Sequence, residues 1–278
     1  MKIAILKKLT SETYQIETTL HQQFQVVTPE KAEVLVVLGG DGTMTHWAKE
    51  FAELGIPFYG INRGTYGFLL NDHAPTDNLV ATINQAELVA FPLIEADVLL
   101  RSGESIKARA FNDIFTKTTS SQTAKHKIFI NGINLFLQGP SFFAGDGLII
   151  CTPGGSTAYN RAAGGIIIDH KSDSLGLTPV SAFQPSDFRP QLLPGDSIIT
   201  LEMIEDEKRK HLVVADNQSF VEVKTVTIKR SNQRVTLGFK PDNSYFRKTL
   251  ELRFPWMSAK GGSAAGGKTN TLNDWRSS

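Results

Sequence analysis

The tightest constraint on what this chain can become is a junction near residue 40. Val34–Leu38 is an unbroken run of β-branched and apolar residues, the composition of a strand buried on both faces. Gly39-Gly40-Asp41-Gly42 follows without a spacer, and then Met44, Trp47, Ala48, Phe51 and Leu54 recur at the spacing of one helix face. Gly55 stops that helix and Pro57 keeps it from resuming. A strand buried on both faces needs helices on both sides, so the junction predicts α/β layering around a mainly parallel sheet. Lys2–Leu6 and Ile56–Ile61 read as further strands, the second ending in the two-glycine turn Asn62-Arg63-Gly64-Thr65-Tyr66-Gly67. Thr76-Asp77 is placed to cap a short helix running to Ala86. Residues 1–91 therefore read as a Rossmann-like α/β nucleotide-binding domain.

From about Pro92 the hydrophobic period changes to two. Leu93–Leu100 and Ile106–Phe115 flank Ser102-Gly103-Glu104-Ser105, and Lys127–Ile130 and Ile133–Leu137 flank the hairpin dipeptide Asn131-Gly132. Leu148–Cys151, Ser197–Ile204, His211–Ala215, Phe220–Ile228 and Val235–Phe239 are further strand candidates. The expected fold class is α/β plus all-β: the Rossmann-like domain, then a C-terminal β-sandwich over residues 92–240. Residues 241–258 are expected to pack back on the first domain, and the Gly-, Ser- and Ala-rich residues 259–278 to be disordered.

Composition excludes several classes of partner. Lys and Arg number 29 against 28 Asp and Glu, a net charge of +1, which gives no electrostatic case for nucleic acid or an anionic membrane. The apolar run Ile3–Leu6 has a strand's length rather than a signal peptide's, and no stretch approaches the roughly 20 apolar residues of a membrane helix. Cys151 is the one cysteine, so no internal disulfide can form, and the chain reads as cytoplasmic. Its apolar neighbours make it a buried, inert thiol. The six histidines include no pair at metal-binding spacing.

Three motifs carry chemistry. In Gly39–Thr43, glycines allow backbone to approach phosphates, the helix start offers free N–H groups, and Asp41 can accept a proton; a tight turn with an Asp cap explains the same residues. In Phe111-Asn112-Asp113-Ile114, an amide and a carboxylate interrupt an apolar strand, which suits a base edge and ribose hydroxyls but also a bulge. In Gly145-Asp146-Gly147, followed by a strand and Thr152-Pro153-Gly154-Gly155-Ser156-Thr157-Ala158-Tyr159-Asn160, a glycine-rich turn feeds an expected helix Thr157–Ala163. A fourth pattern, Gly262–Thr269, matches a Walker A loop letter for letter. No strand precedes it and nine residues follow it, so it reads as a chance match.

In this order, with Gly60–Leu69 between the first two, the motifs resemble the NAD kinase family over roughly residues 34 to 240. The resemblance implies a cytoplasmic kinase that transfers the γ-phosphate of ATP to the 2′-hydroxyl of the adenosine ribose of NAD, giving NADP. Asp41 would be the catalytic base. Gly42, Asn112, Asp113, Asp146 and the run Thr157, Ala158, Tyr159, Asn160, Arg161 and Ala162 would bind the substrates, and Ser181 and Gln218 match less distinctive sequence. His46 stands where relatives commonly have Arg. Mg²⁺ or another divalent cation is expected with ATP rather than in a protein cage, and the partners are the small molecules NAD and ATP, with assembly as a homodimer or homotetramer. Three further positions depart from the family pattern: Ala144 replaces a basic residue, Gly154 a Thr, and Tyr66 a Leu. The alternatives are a lipid or sugar kinase sharing the Gly-Gly-Asp-Gly turn, and a non-catalytic dinucleotide-binding protein.

Overall fold

A computed structural model describes residues 1–7, 11–73, 78–136, 141–205 and 208–260. β1 (Lys2–Lys7), β2 (Gln25–Val26), β3 (Val34–Gly39) and β4 (Phe58–Asn62) form a parallel set in the order β4-β3-β1-β2. Alternation along β3 explains the layering. Leu35 and Val37 pack with Met44 and Ala48 of helix α2 (Asp41–Glu50), while Val36 and Leu38 pack with Leu20 of α1 (Ser11–Gln23) and with Leu79 and Ile83 of α3 (Leu79–Asn84). Helices thus cover both faces, as the composition of β3 requires. Gly55 closes the segment after α2 in the left-handed region, at φ 64°. Asn78 caps α3 by accepting from Ala81 N–H; Thr76 and Asp77 lie outside the described residues.

The β-rich half is two layers. The parallel strands continue into β5 (Glu87–Leu100), β6 (Ser105–Ala110), β8 (Ala124–Ile130), β9 (Ile133–Asn134), β10 (Phe143–Gly145), β14 (Ile199–Met203) and β17 (Val223–Phe239). A second sheet orders β13 (Gln191–Pro194), β12 (Ser174–Val180), β11 (Gly147–Cys151), β7 (Asp113–Thr118), β15 (His211–Ala215) and β16 (Gln218–Val221). Ile94, Val98, Ile128, Leu201 and Val226 of the first pack against Ile114, Leu148, Leu177 and Val213 of the second, forming the sandwich core.

Three expectations change. Ile106–Phe115 is not one strand: it breaks at Phe111-Asn112, where the chain leaves the large sheet for the smaller one. Phe220–Ile228 breaks at Glu222, which takes φ 54°, whereas the separately expected Val235–Phe239 belongs to the same long strand β17. The far end of β17 pairs in parallel with β4, Leu237 beside Phe58, so one strand belongs to both halves. The helix expected over Thr157–Ala163 is a 3₁₀ turn, Gly155–Thr157, and one α turn, α4 (Tyr159–Ala162). At the C-terminal end, α5 (Tyr245–Arg253) starts at Ser244, whose hydroxyl accepts from Arg247 N–H. Its wholly buried Tyr245 packs against Phe68, Phe91 and Phe239. The tail beyond 260, with the Gly262–Thr269 pattern, lies outside the described residues.

Candidate functional site

Asp41 is the first residue of α2, and the capping position belongs to Gly40, which has no side chain to offer. The carboxylate is therefore not a helix cap. One oxygen, Oδ1, accepts from Leu69 N–H at 2.7 Å. The Asn62–Gly67 turn packs directly on the Asp41 turn: Arg63 N–H donates to Gly39 O at 2.7 Å, and Asn62 Oδ1 accepts from Gly64 N–H at 2.9 Å. A Cβ on Gly64 would stand 2.9 Å from the Gly40 Cα, so two backbones meet where only glycine fits. In front of this pair lies a cavity of about 490 Å³ lined by Lys7, Gly40, Gly42, Thr43, His46, Trp47 and Asn217. A helix start, a lysine and an exposed imidazole make it suited to an anion. Lys7 ends β1 and pairs with Glu17 of α1. His46 lies edge-on to Trp47, ring centroids 4.8 Å apart.

Asn112 and Asp146 both lie where the chain passes between the sheets, Asn112 from β6 to β7 and Asp146 from β10 to β11. The first crossing is held by Asp216. It stands in the left-handed turn between β15 and β16, at φ 51°, and its carboxylate accepts from the N–H groups of Phe111 (2.8 Å), Asn112 (2.9 Å) and Asp113 (3.3 Å). Lys49 of α2 answers its charge at 3.1 Å and donates to Asn217 Oδ1 at 3.0 Å. The helix that begins with Asp41 is thereby tied to the turn that fixes Asn112. Asp113 is 4% exposed. Burial, with Asp216 as a second cause, pushes its carboxyl up to about 7. Asp146 is exposed, its N–H donating to Val180 O at 2.9 Å. Burial first, then Asp113 and Asp146, raise the Tyr159 hydroxyl, so the three side chains converge electrostatically. The Tyr159 ring stands edge-on to Phe115 at 5.0 Å.

The Thr152 run is built onto the same crossing. Thr152 Oγ1 donates to Phe111 O at 2.7 Å and accepts from Gly155 N–H, while Thr152 N–H donates to Asn112 O at 2.9 Å. A Cβ on Gly155 would lie 1.9 Å from Asn112 O. Ser156 and Asn160 are turned inward. Ser156 Oγ donates to Pro153 O, and the Asn160 amide donates to Ser156 O and Ile166 O and accepts from Thr178. Asn160 thus shapes the loop from inside rather than presenting its amide to a ligand. Ala158, Tyr159, Arg161 and Ala162 are open to solvent, and Thr157, half-buried, donates to Gly154 O at 3.2 Å.

Ser181 is exposed just after β12 at φ 47°, with its carbonyl beside Gly145. Gln218 is exposed at the start of β16, next to Asn217. Ala144 is buried, its carbonyl accepting from Phe183 and Gln184 N–H, and presents no group to the site. Sequence reasoning missed Lys7, Lys49, Asp216 and Asn217. Lys7 was open to it, because ligands gather at the carboxyl ends of parallel strands.

The chain matches two family models in order: the ATP-NAD kinase N-terminal domain over residues 4–87 and the ATP-NAD kinase C-terminal domain over residues 114–237. It is 34% identical to the NAD kinase of Brucella suis biovar 1 over 246 residues, 88% of this chain and 94% of that one. It is 37% identical to the NAD kinase of Rhizobium meliloti over 227 residues, 81% of this chain and 86% of the relative. In fold it is similar to yeast NADH kinase complexed with NADH, at TM-score 0.76 and 22% identity over 96% of this chain and 90% of that one. It is also similar to an NAD kinase from Archaeoglobus fulgidus in complex with ATP, at TM-score 0.69 and 21% identity over 90% and 99%. These matches favour the NAD kinase reading over a lipid or sugar kinase and over a non-catalytic binder. With both family models matched in order and relatives above 30% identity nearly end to end, the chain belongs to the NAD kinase family.

Proposed function

We infer that this chain is an ATP-dependent NAD kinase whose base is Asp41. The observation that carries the reading is the position of Asp41: at a helix start, with one carboxylate oxygen on Leu69 N–H, at the rim of an anion-suited cavity, and tied through Lys49 to the crossing that bears Asn112. The triphosphate enters the cavity between Lys7, Gly42, Thr43 and His46. NAD lies along the exposed face of Thr157–Ala162, with Asn112 and Asp113 at its nucleoside, Asp146 beside Tyr159, and Ser181 and Gln218 at the edges. The free oxygen of Asp41 takes the proton of the ribose 2′-hydroxyl. The ribose 2′-oxygen bonds to the γ-phosphorus as its proton passes to Asp41, the γ-phosphorus bond to the bridging oxygen breaks, and ADP leaves.

A divalent cation, when bound, neutralises charge on the phosphates. We propose that the ion is carried mainly by the nucleotide's own oxygens. Among the described residues, no helix is long and apolar enough to cross a membrane. Exposed Phe183 and Leu192 and the edge strands β13 and β16 support assembly as a homodimer or homotetramer, which sedimentation velocity measures directly. Incubation with NAD, ATP and Mg²⁺, read by an NADP-specific dehydrogenase, tests the activity. NADP accumulating with time and enzyme is the expected result; none above the enzyme-free background overturns it.

A further inference from the structure

Lys248 belongs to no motif read from the sequence, yet it grips the turn behind Asp41. Its ammonium donates to the carbonyls of Gly67 (3.1 Å), Phe68 (3.2 Å) and Leu70. Three acceptors use all the hydrogens an ammonium has. The nitrogen lies 5.7 Å from the Phe239 ring centroid, and burial lowers the lysine's pKa, with Asp72, Asp41 and Glu251 opposing the fall. A cation withdrawn from water this far needs those carbonyls. The start of α5 aims it: Tyr245, wholly buried, lies 4.8 Å from the Phe91 ring and 5.4 Å from that of Phe68. The helix therefore holds the Gly67–Leu70 turn twice, by an aromatic contact on the Phe68 side chain and by an ammonium on its carbonyl.

The Phe68 carbonyl and the Leu69 N–H are opposite edges of one planar peptide. One edge accepts from Lys248; the other donates to Asp41 Oδ1 at 2.7 Å. We propose that Lys248 is a positioning residue for the phosphoryl transfer, fixing the Phe68–Leu69 peptide plane and through it the Asp41 carboxylate. The proposal rests on Asp41 being the base. Lys248 touches neither nucleotide in this arrangement, so its loss acts on the step rather than on binding.

The test compares Lys248→Met, Lys248→Gln and Asp41→Asn with the full wild-type chain, using NAD and Mg-ATP. Lys248→Met is expected to lower kcat at least ~10-fold with both KM values within about 2-fold, since a small misplacement of a reacting group is costly. Amide hydrogen exchange is expected to quicken across Gly67–Leu70 while β3 and the interior of α2 keep their protection. Lys248→Gln, which retains a donor, is expected to recover part of kcat, and if Lys248→Met does not fold, the same loss of kcat at unchanged KM is read on the Gln variant. Wild-type kcat in a Lys248 variant, a rise in KM alone, or faster exchange throughout the molecule overturns the positioning role. Full activity in Asp41→Asn overturns the reading of Asp41 itself, and so separates the two failures.

Discussion

Asp113 and Asp216 are neighbouring carboxylates whose behaviour is decided by what satisfies each. Asp216 receives three backbone N–H groups and the ammonium of Lys49, so its charge is compensated on every side. Burial, and then the charge of Asp216 beside it, pushes the Asp113 carboxyl up to about 7. Between the ordinary carboxylate range near pH 4 and pH 7 the native state holds a proton that the unfolded chain releases, so this group costs stability as pH rises through that window. Asp113→Asn removes the cost. The variant is expected to melt above wild type at pH 8 and level with it at pH 4; a variant that melts lower at pH 8 contradicts the assignment. Asn112-Asp113 was legible as a polar interruption of an apolar strand. Asp216 was not, because its partner Asn112 lies 104 positions away and nothing local marks the pairing.

At the scale of elements, the site is a joint between α2 and the β15–β16 turn, with Lys49 as its pin. Asp216→Ala leaves three N–H groups and a lysine without their acceptor in a largely buried place. Loss of one partner of a buried charge pair costs on the order of 3–5 kcal/mol, so the urea midpoint should fall accordingly. KM for NAD should rise with it, because Asn112 loses its anchor; a cost below about 1 kcal/mol with unchanged KM contradicts the joint. Elements set by local chemistry were readable in advance. Asn131-Gly132 takes φ 50° and 79°, the turn geometry its dipeptide favours, and joins β8 to β9. The strand, the turn and the start of the helix around Asp41 fell where periodicity placed them, but α2 ends at Glu50 and the stretch before Gly55 is a 3₁₀ turn, Ala52–Leu54. The breaks at Phe111-Asn112 and Glu222 were not readable: a polar residue interrupts the apolar pattern at each, but the change of sheet that makes it a break is imposed by distant partners. The single turn of α4 was overread: Gly164 takes φ 78° and ends the helix there, and the Asn160 side chain is held by Ile166 O and Thr178 Oγ1.

Across the whole molecule, β17 joins the parallel strands to the sandwich, and β5 runs beside it almost end to end. Tyr245 adds the C-terminal helix to the core beneath β3 and β4. Neither half can open without breaking strands of the other, so scanning calorimetry is expected to give one transition whose van't Hoff and calorimetric enthalpies agree; two resolved transitions contradict a shared sheet. The same continuity is what the proposed mechanism requires, with Asp41 on α2 as base and Asn112 at the sheet crossing against the nucleoside. The most direct test of that account is the turnover of Asp41→Asn at saturating NAD and Mg-ATP. A general base contributes about 10²- to 10⁴-fold, so kcat should fall by at least ~100-fold while both KM values stay close to wild type. An Asp41→Asn enzyme that makes NADP within about threefold of the wild-type rate would contradict it.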